Sequence, residues 1–463
     1  MRKIFALISI AILWTGCLLN AQQPPAVPQT PVVPQTVVPP AAPTPAPPPS
    51  SSATPQALLS LAQATALAIQ NHPQIAAARD TAATAGQRII EAKAPYYPVV
   101  DGEVTAAQGL ADSRIGAGYL SASQLFNRVG QGVQVTQLLT DFGRTKNLVA
   151  TSQFQAQAAD QITQATVYDV VLGVNRAYFG VLQATAFVNV ANDTIKARQT
   201  LADQVTALER ASLKSEYDVG FANINLSEAK LLLVRSQDAV ERAYADLARA
   251  LGQDQVVRYN LAAVPSPAEP PATAEPLIAE AIQNRPELRG IQLQLQSAQS
   301  FEQAEADLKH PTVSVIAVGG GLPYLGQDPR VAPYGYEGAA VNMDIPIFNG
   351  HLFSARRQAA HYDAMAVSEH VRNLKQQVEN DVRDAWISAY TAYQRIPITE
   401  QFLKQANLTL QLANGRYNLG LASIVDVTQA QLSLTQAQIE NVSANYDYQA
   451  AYAQLQYTMG ALR

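Results

Sequence analysis

The sequence predicts a mainly α-helical protein with a transmembrane β-barrel portion, built as two structural repeats of two membrane strands plus long α-helices each. Three observations predict it. The chain is duplicated: Ala68-Ile69-Gln70-Asn71-His72-Pro73 returns as Ala281-Ile282-Gln283-Asn284-Arg285-Pro286, and Leu251-Gly252 returns as Met459-Gly460. The repeat distance is far longer than the ~20–50 residues of a solenoid, so it marks two homologous halves. No proline occurs between Pro98 and Pro265, which leaves room for a helix of close to 70 residues, ~100 Å at 1.5 Å per residue. Short segments before each long helix alternate apolar and polar residues, as a strand with two unlike faces does.

From the N-terminus, residues 1–21 read as a signal peptide, with Arg2 and Lys3 ahead of the apolar run Ile4 to Trp14. That run is too short to cross a bilayer as a helix, which takes ~20 residues. The only cysteine, Cys17, follows Thr15-Gly16 at the end of the run. It is placed like a lipidated cysteine, although Trp14 stands where leucine is usual. Cleavage after Ala21 is the other reading, and both stay open. Residues 22–55 are a Pro-rich tether that cannot bury a core.

The first repeat spans 56–257. A helix is expected from about Gln56 to Lys93, ended by Pro95 and Pro98. Strands should follow to Leu139, then one helix from Gly143 to about Ala211 and another from Ser215 to Leu251. A linker over 258–274 carries Pro265, Pro267, Pro270 and Pro271. The second repeat spans 275–463: a helix from Glu275 to Leu308, strands within Thr312 to Ile347, a long helix from Gly350 to Ala413 and a last helix from Ser423 to Met459. Pro397 should kink the second long helix.

Composition narrows the function. The net charge is −5, which offers nothing to nucleic acid. Only 15% of residues are charged, against ~25% in an average soluble domain, which suits helices packed closely on small side chains. A mean hydropathy of −0.04 excludes a bundle of membrane helices. One cysteine excludes an intrachain disulfide framework. The histidines (His72, His310, His351, His361 and His370) share no short metal-ligand spacing. Gly319-Gly320-Gly321 reads as a loop between strands, because no Lys-Ser/Thr and helix start follow to make a phosphate cradle. No enzyme, cofactor or metal is expected.

The strands carry the strongest physical signal. Val100, Gly102 and Val104 alternate with Asp101, Glu103 and Thr105, and Val133 and Val135 alternate with Gln134 and Thr136. In the second repeat Val313, Val315 and Ala317 keep one apolar face, and Val341, Met343 and Ile345 alternate with Asn342 and Asp344. A soluble antiparallel sheet would turn the apolar side to a core. A transmembrane barrel would turn it to lipid, with Asp101, Glu103, Gln134, Thr136, Asn342 and Asp344 facing the lumen. The export signal, the aromatic flanks (Tyr96, Tyr97, Phe126, Tyr334 and Tyr336) and the lack of a compact partner layer favour the barrel. Four strands cannot close one, since bacterial barrels start at ~8, so the protein must oligomerise.

Each long helix meets its partner at a marked turn. In the second repeat Tyr417-Asn418-Leu419-Gly420 ends one helix with a left-handed glycine, and Ser423 and Asp426 form a capping box for the next. In the first, Ser215 and Asp218 repeat the box, with Ser212 where the glycine stood.

Taken in this order and duplicated, the residues resemble the TolC family of outer membrane efflux proteins. The pieces that carry the resemblance are the Asn71-His72-Pro73 opening, the strand-ending turns Leu139-Thr140-Asp141-Phe142-Gly143 and Ile347-Phe348-Asn349-Gly350, and the Gly420-to-Val427 tip. The resemblance covers about Gln56 to Gly460. It implies a trimeric α/β barrel channel: a homotrimer with a twelve-stranded barrel in outer membrane lipid, continued by an α-helical barrel across the periplasm. It implies a periplasmic adaptor and an inner membrane pump as partners. Asp426 would form an acidic ring at the entrance, with Tyr417 and Gly420 beside it. Gln429 and Ala422 replace an acidic and a basic residue of the family pattern, which implies a gate with fewer ionic contacts. The alternative is a periplasmic coiled-coil structural or adaptor protein with a small soluble sheet.

Overall fold

Proline sets the first break in the chain. His72 precedes Pro73, and its backbone is extended (φ −71°, ψ 124°), because a residue before proline is pushed out of the α region. The helix expected from Gln56 to Lys93 is therefore two, α1 (Leu61–Asn71) and α2 (Pro73–Lys93), after a two-residue strand β1 (Leu58–Leu59). Arg285 before Pro286 breaks the second repeat in the same way, giving α5 (Glu275–Asn284) and α6 (Pro286–Ala306).

These elements belong to a computed structural model that describes residues 58–107, 128–324 and 335–462. The signal peptide, Cys17, the tether, Phe126 and Tyr334 lie outside the described residues. The remaining elements are β2 (Val99–Ala107), β3 (Arg128–Thr140), α3 (Arg144–Arg210), α4 (Glu216–Ala250), β4 (Asn260–Leu261), β5 (Thr312–Tyr324), β6 (Gly335–Asp344), α7 (Leu352–Asn418) and α8 (Ile424–Thr458). Helices α3 and α7 are each 67 residues long, and α4 and α8 are each 35. Helix α7 passes through Pro397. The proline offers no N–H to the preceding turn, and two residues on the Thr399 hydroxyl donates to the Ile396 carbonyl at 2.9 Å. Among the described residues no helix is long and apolar enough to cross a membrane.

The four longer strands form one antiparallel sheet in the order β2-β3-β5-β6. The helices that lead into and out of them keep the same lateral order: α2 packs on α3, α3 on α6 and α6 on α7. Further along, α4 packs on α3, α3 on α8 and α8 on α7. Helix α3 is thus the centre of the layer, and α7 stays at an edge throughout. The glycine run expected as a loop lies inside β5, pairing with Gly132 and Val133 on one side and with Tyr336 and Glu337 on the other.

The core is narrow and made largely of alanine and valine, which lets long helices approach closely. Its main cluster surrounds Tyr178 of α3, which is fully buried with Ala64, Ala68, Ile75, Val174 and Leu251. The Tyr178 hydroxyl lies 2.7 Å from the Ala262 carbonyl and 2.9 Å from that of Leu59, so it clasps the parallel β1–β4 pair. The Pro-rich linker is strapped down the same way: Trp386 donates to the Pro271 carbonyl at 2.8 Å, and Tyr448 donates to that of Ala268.

Two glycines make matching joints. Gly252 follows α4 with φ +69°, and a Cβ there would sit 2.8 Å from the His72 Cα. Gly460 follows α8 with φ +69°, and a Cβ there would sit 3.1 Å from the Arg285 nitrogen. In each half, the end of the last helix abuts the break made by the Asn-x-Pro segment.

Candidate functional site

The sheet is two-faced in register. Paired residues of antiparallel strands point to the same side. Asp101 pairs with Gln134 and Gln134 with Val318; Val99 pairs with Thr136, Thr136 with Ile316; Ser314 pairs with Asn342 and Thr312 with Asp344. All six residues assigned to a lumen, Asp101, Glu103, Gln134, Thr136, Asn342 and Asp344, therefore share one face. Val100, Val104, Val133, Val135, Val313, Val315, Val341 and Met343 share the other. Each strand has departures from the pattern: Val99, Leu138, Ile316 and Val318 add apolar side chains to the polar face, and Gln131, Gln137 and Glu337 stand on the apolar one. Tyr336 also lies on the polar face, in line with Gly320, and so leaves the aromatic flank of the apolar side, to which sequence had assigned it.

Among the described residues nothing covers the apolar face. Val100, Val104, Val133, Val341 and Met343 are each at least half exposed. Burying such a side chain is worth ~1.5–3 kcal/mol, so this face calls for a cover of lipid or protein. A sheet placed in lipid cannot leave edges, where each unpaired backbone group costs several kcal/mol. Strands β2 and β6 are both edges here.

At the far end of the long helices the two hairpin turns are built alike. In the second, the Leu421 N–H donates to the Arg416 carbonyl at 2.8 Å and the Gly420 N–H to that of Tyr417 at 3.0 Å, the paired bonds of a Schellman motif. In the first, Leu213 donates to Leu208 at 2.8 Å and Ser212 to Glu209 at 2.7 Å. Ser212 has φ +57° and Gly420 has φ +72°. A side chain in this region costs ~1–2 kcal/mol, and open space surrounds Gly420. Ser212→Gly should therefore stabilise the first turn by ~1 kcal/mol and Gly420→Ala should weaken the second by a similar amount, read as opposite changes in local amide exchange at the two tips.

Both capping boxes close. Ser215 Oγ lies 2.9 Å from Asp218 Oδ2, and Ser423 Oγ lies 2.9 Å from Asp426 Oδ2. Hydrogen bonds from the Ser423 amide and hydroxyl hold the Asp426 carboxyl below a free aspartate's 3.8, and Arg416 adds to the effect. Because the folded pKa is depressed, this cap is in force above pH 3.8 and is lost as pH falls through the folded value. Asp426 and Arg416 face a shared groove of about 430 Å³ with Leu412, Ala422 and Gln429.

Tyr417 is at the tip but does not open to solvent. It is buried with Leu201, Val205, Ala222, Leu226, Ile424 and Val427, in the cluster that joins the two hairpins. Burial pushes its phenol pKa up, and the charge of Asp218 adds to this. Lys214 Nζ sits 4.5 Å from the Tyr417 ring centre, a cation–π contact between one turn and the other helix. Lys214 and Arg416 were not singled out from sequence. Their only signal there was a position one residue (Lys214) and three residues (Arg416) from a cap. Exposed Leu213, Tyr217, Leu419 and Leu421 complete an apolar rim at the tips.

A sheet with one bare apolar face, joined to helices of this length, defines an outer-membrane protein of the long-helix channel class. The chain belongs to the outer membrane efflux protein family, whose model matches residues 64–253 and 277–461. It is 23% identical over 386 residues to the outer membrane protein TolC of Salmonella enteritidis, covering 81% of this chain and 77% of that one. It is 22% identical over 404 residues to the cation efflux system protein CusC of Escherichia coli K12, covering 81% and 82%. Among solved structures it superposes on VceC from Vibrio cholerae with a TM-score of 0.74 at 18% identity, covering 86% of this chain and 96% of that one. The outer-membrane channel OprN gives a TM-score of 0.75 at 17% identity, covering 87% and 90%. The protein is thus an outer membrane efflux protein and not an enzyme.

Proposed function

We propose that the chain is one third of a homotrimeric channel that passes substrates from an inner membrane pump and its periplasmic adaptor to the exterior. The observation that carries this is the one-sided register of the sheet. Three copies, each joining β6 to the β2 of the next, would supply twelve strands, an even number suited to a bacterial barrel. That closure would turn the apolar face to lipid, turn Asp101, Glu103, Gln134, Thr136, Asn342 and Asp344 to the lumen, and leave no edge. The helices would continue the wall, the exposed Ile224, Leu231 and Val234 of α4 meeting Ile398, Phe402 and Leu412 of α7 in the neighbour. Conduction would be passive, with energy and substrate choice coming from the pump. The hairpin tips would form the periplasmic entrance, lined by Asp426 on its capping box, and the adaptor would dock on the apolar rim.

The test is single-channel recording in planar bilayers. Asp426→Ala should change the conductance or the preference for cations, because it removes three carboxylates from one level of the pore. Wild-type values for both would show that Asp426 lies away from the constriction. Crosslinking in cells with photoreactive residues at Leu213 and Leu421 should capture the adaptor.

A further inference from the structure

Two glycines and a tyrosine in the sheet form a fitted joint. Tyr336 of β6 pairs with Gly320 of β5, Gly320 with Gly132 of β3, and Gly132 with Glu103 of β2. The four residues make a single row on the polar face. A Cβ on Gly132 would lie 2.2 Å from the Tyr336 hydroxyl oxygen, and one on Gly320 would meet the Gln131 carbonyl oxygen at 2.4 Å and the Tyr336 Cζ at 2.7 Å. The ring therefore lies flat across two strands, with its hydroxyl over Gly132. Neither glycine has a positive φ, so each is required for space and not for backbone conformation. Glycine in a strand interior weakens it and often marks a close approach. An aromatic ring laid over it restores the missing packing.

We propose that Gly132 and Gly320 form a recess in the lumenal wall that holds Tyr336 out of the path of the substrate. The recess sets the free width of the barrel at the level of Glu103. This rests on the reading that the sheet closes with its polar face inward. In a trimer, three rings at one level would then either line the wall or project into the lumen. Gly132 is the informative position. Apart from the tip of Tyr336, its nearest neighbour is the Gly319 carbonyl at 3.2 Å, so an added methyl acts mainly by lifting the ring.

The experiment uses the full chain in proteoliposomes, with Asn342→Cys as a reporter on the polar face, closer to the helices than Tyr336. A bulky and a small methanethiosulfonate reagent are added from outside, and peptide mapping separates the reporter from Cys17. Gly132→Ala should slow bulky labelling at least threefold while leaving small-reagent labelling unchanged, and Gly132→Ala with Tyr336→Ala should restore it. Tyr336→Ala alone should change bulky labelling less than twofold. A large acceleration in Tyr336→Ala would mean that the ring already projects, and no slowing in an assembled Gly132→Ala trimer would mean that it has room to stay; either overturns the recess. If Asn342→Cys reacted only with a lipid-soluble reagent, the inward polar face itself would fall.

Discussion

Gly252→Ala is expected to destabilise the protein by ~2–5 kcal/mol. A side chain in the left-handed region accounts for ~1–2 kcal/mol, and forcing a methyl into packed surroundings adds ~1–3 kcal/mol. The surroundings here are backbone, with the His72 Cα 2.8 Å and the Asn71 carbonyl 3.1 Å from the new atom, so no side chain can swing away. Gly420 has nearly the same φ, +72°, but no neighbour within 4 Å. The pair separates conformational strain from steric overlap. Urea unfolding of the detergent-solubilised protein by circular dichroism should give a midpoint shift for Gly252→Ala at least twice that for Gly420→Ala. Equal shifts would show that the α1–α2 break yields to its neighbour.

The second large effect falls on Tyr178. Truncation of a large buried aromatic to alanine costs ~3–5 kcal/mol through lost burial and the cavity left behind. Here the loss also removes the hydroxyl that bridges the Leu59 and Ala262 carbonyls, leaving the Ala262 N–H on the Leu59 carbonyl at 3.1 Å to hold this end of the β1–β4 pair. Tyr178→Phe keeps the ring and removes only the clasp, so it should cost ~1–3 kcal/mol. Tyr178→Ala should unfold at clearly lower urea than Tyr178→Phe. Limited proteolysis should cut near Leu58 in both. Protection of that site in Tyr178→Phe would show that the strand pair stands without the hydroxyl.

Much of this was legible in the residues. Helices α3 and α7 could be placed within a few residues because periodicity is a local signal, joined in α3 by the absence of proline and in α7 strong enough to carry past Pro397. The same is true of the tips, where Ser-x-x-Asp and a left-handed residue define the turn by themselves. The break at His72 was legible in principle, since Pro73 follows it and a residue before proline is pushed out of the α region. Three features needed the third dimension. Gly319-Gly320-Gly321 looks like a loop until Tyr336 is laid over it. Tyr417 looks like an entrance residue until the first hairpin, α3 and α4, packs over it. Gly252 looks like an ordinary helix stop until His72 arrives from about 180 residues away. Each is a contact between elements far apart in sequence, where no local pattern exists. The six residues proposed to line a lumen occupy an intermediate place: alternation assigned their faces, and only the register across four strands put all six on the same one.

The clasp at Tyr178 also has a consequence in time. The Leu59 carbonyl accepts from the Ala262 N–H, some 200 residues further along, so a chain that emerges N-terminus first cannot secure its leading end early. At ~5–20 residues per second of synthesis, that end waits roughly 10–40 s for Ala262. Until then α1 has an apolar face without its full complement of neighbours, and such an interval is one in which a holding chaperone would have the most to bind.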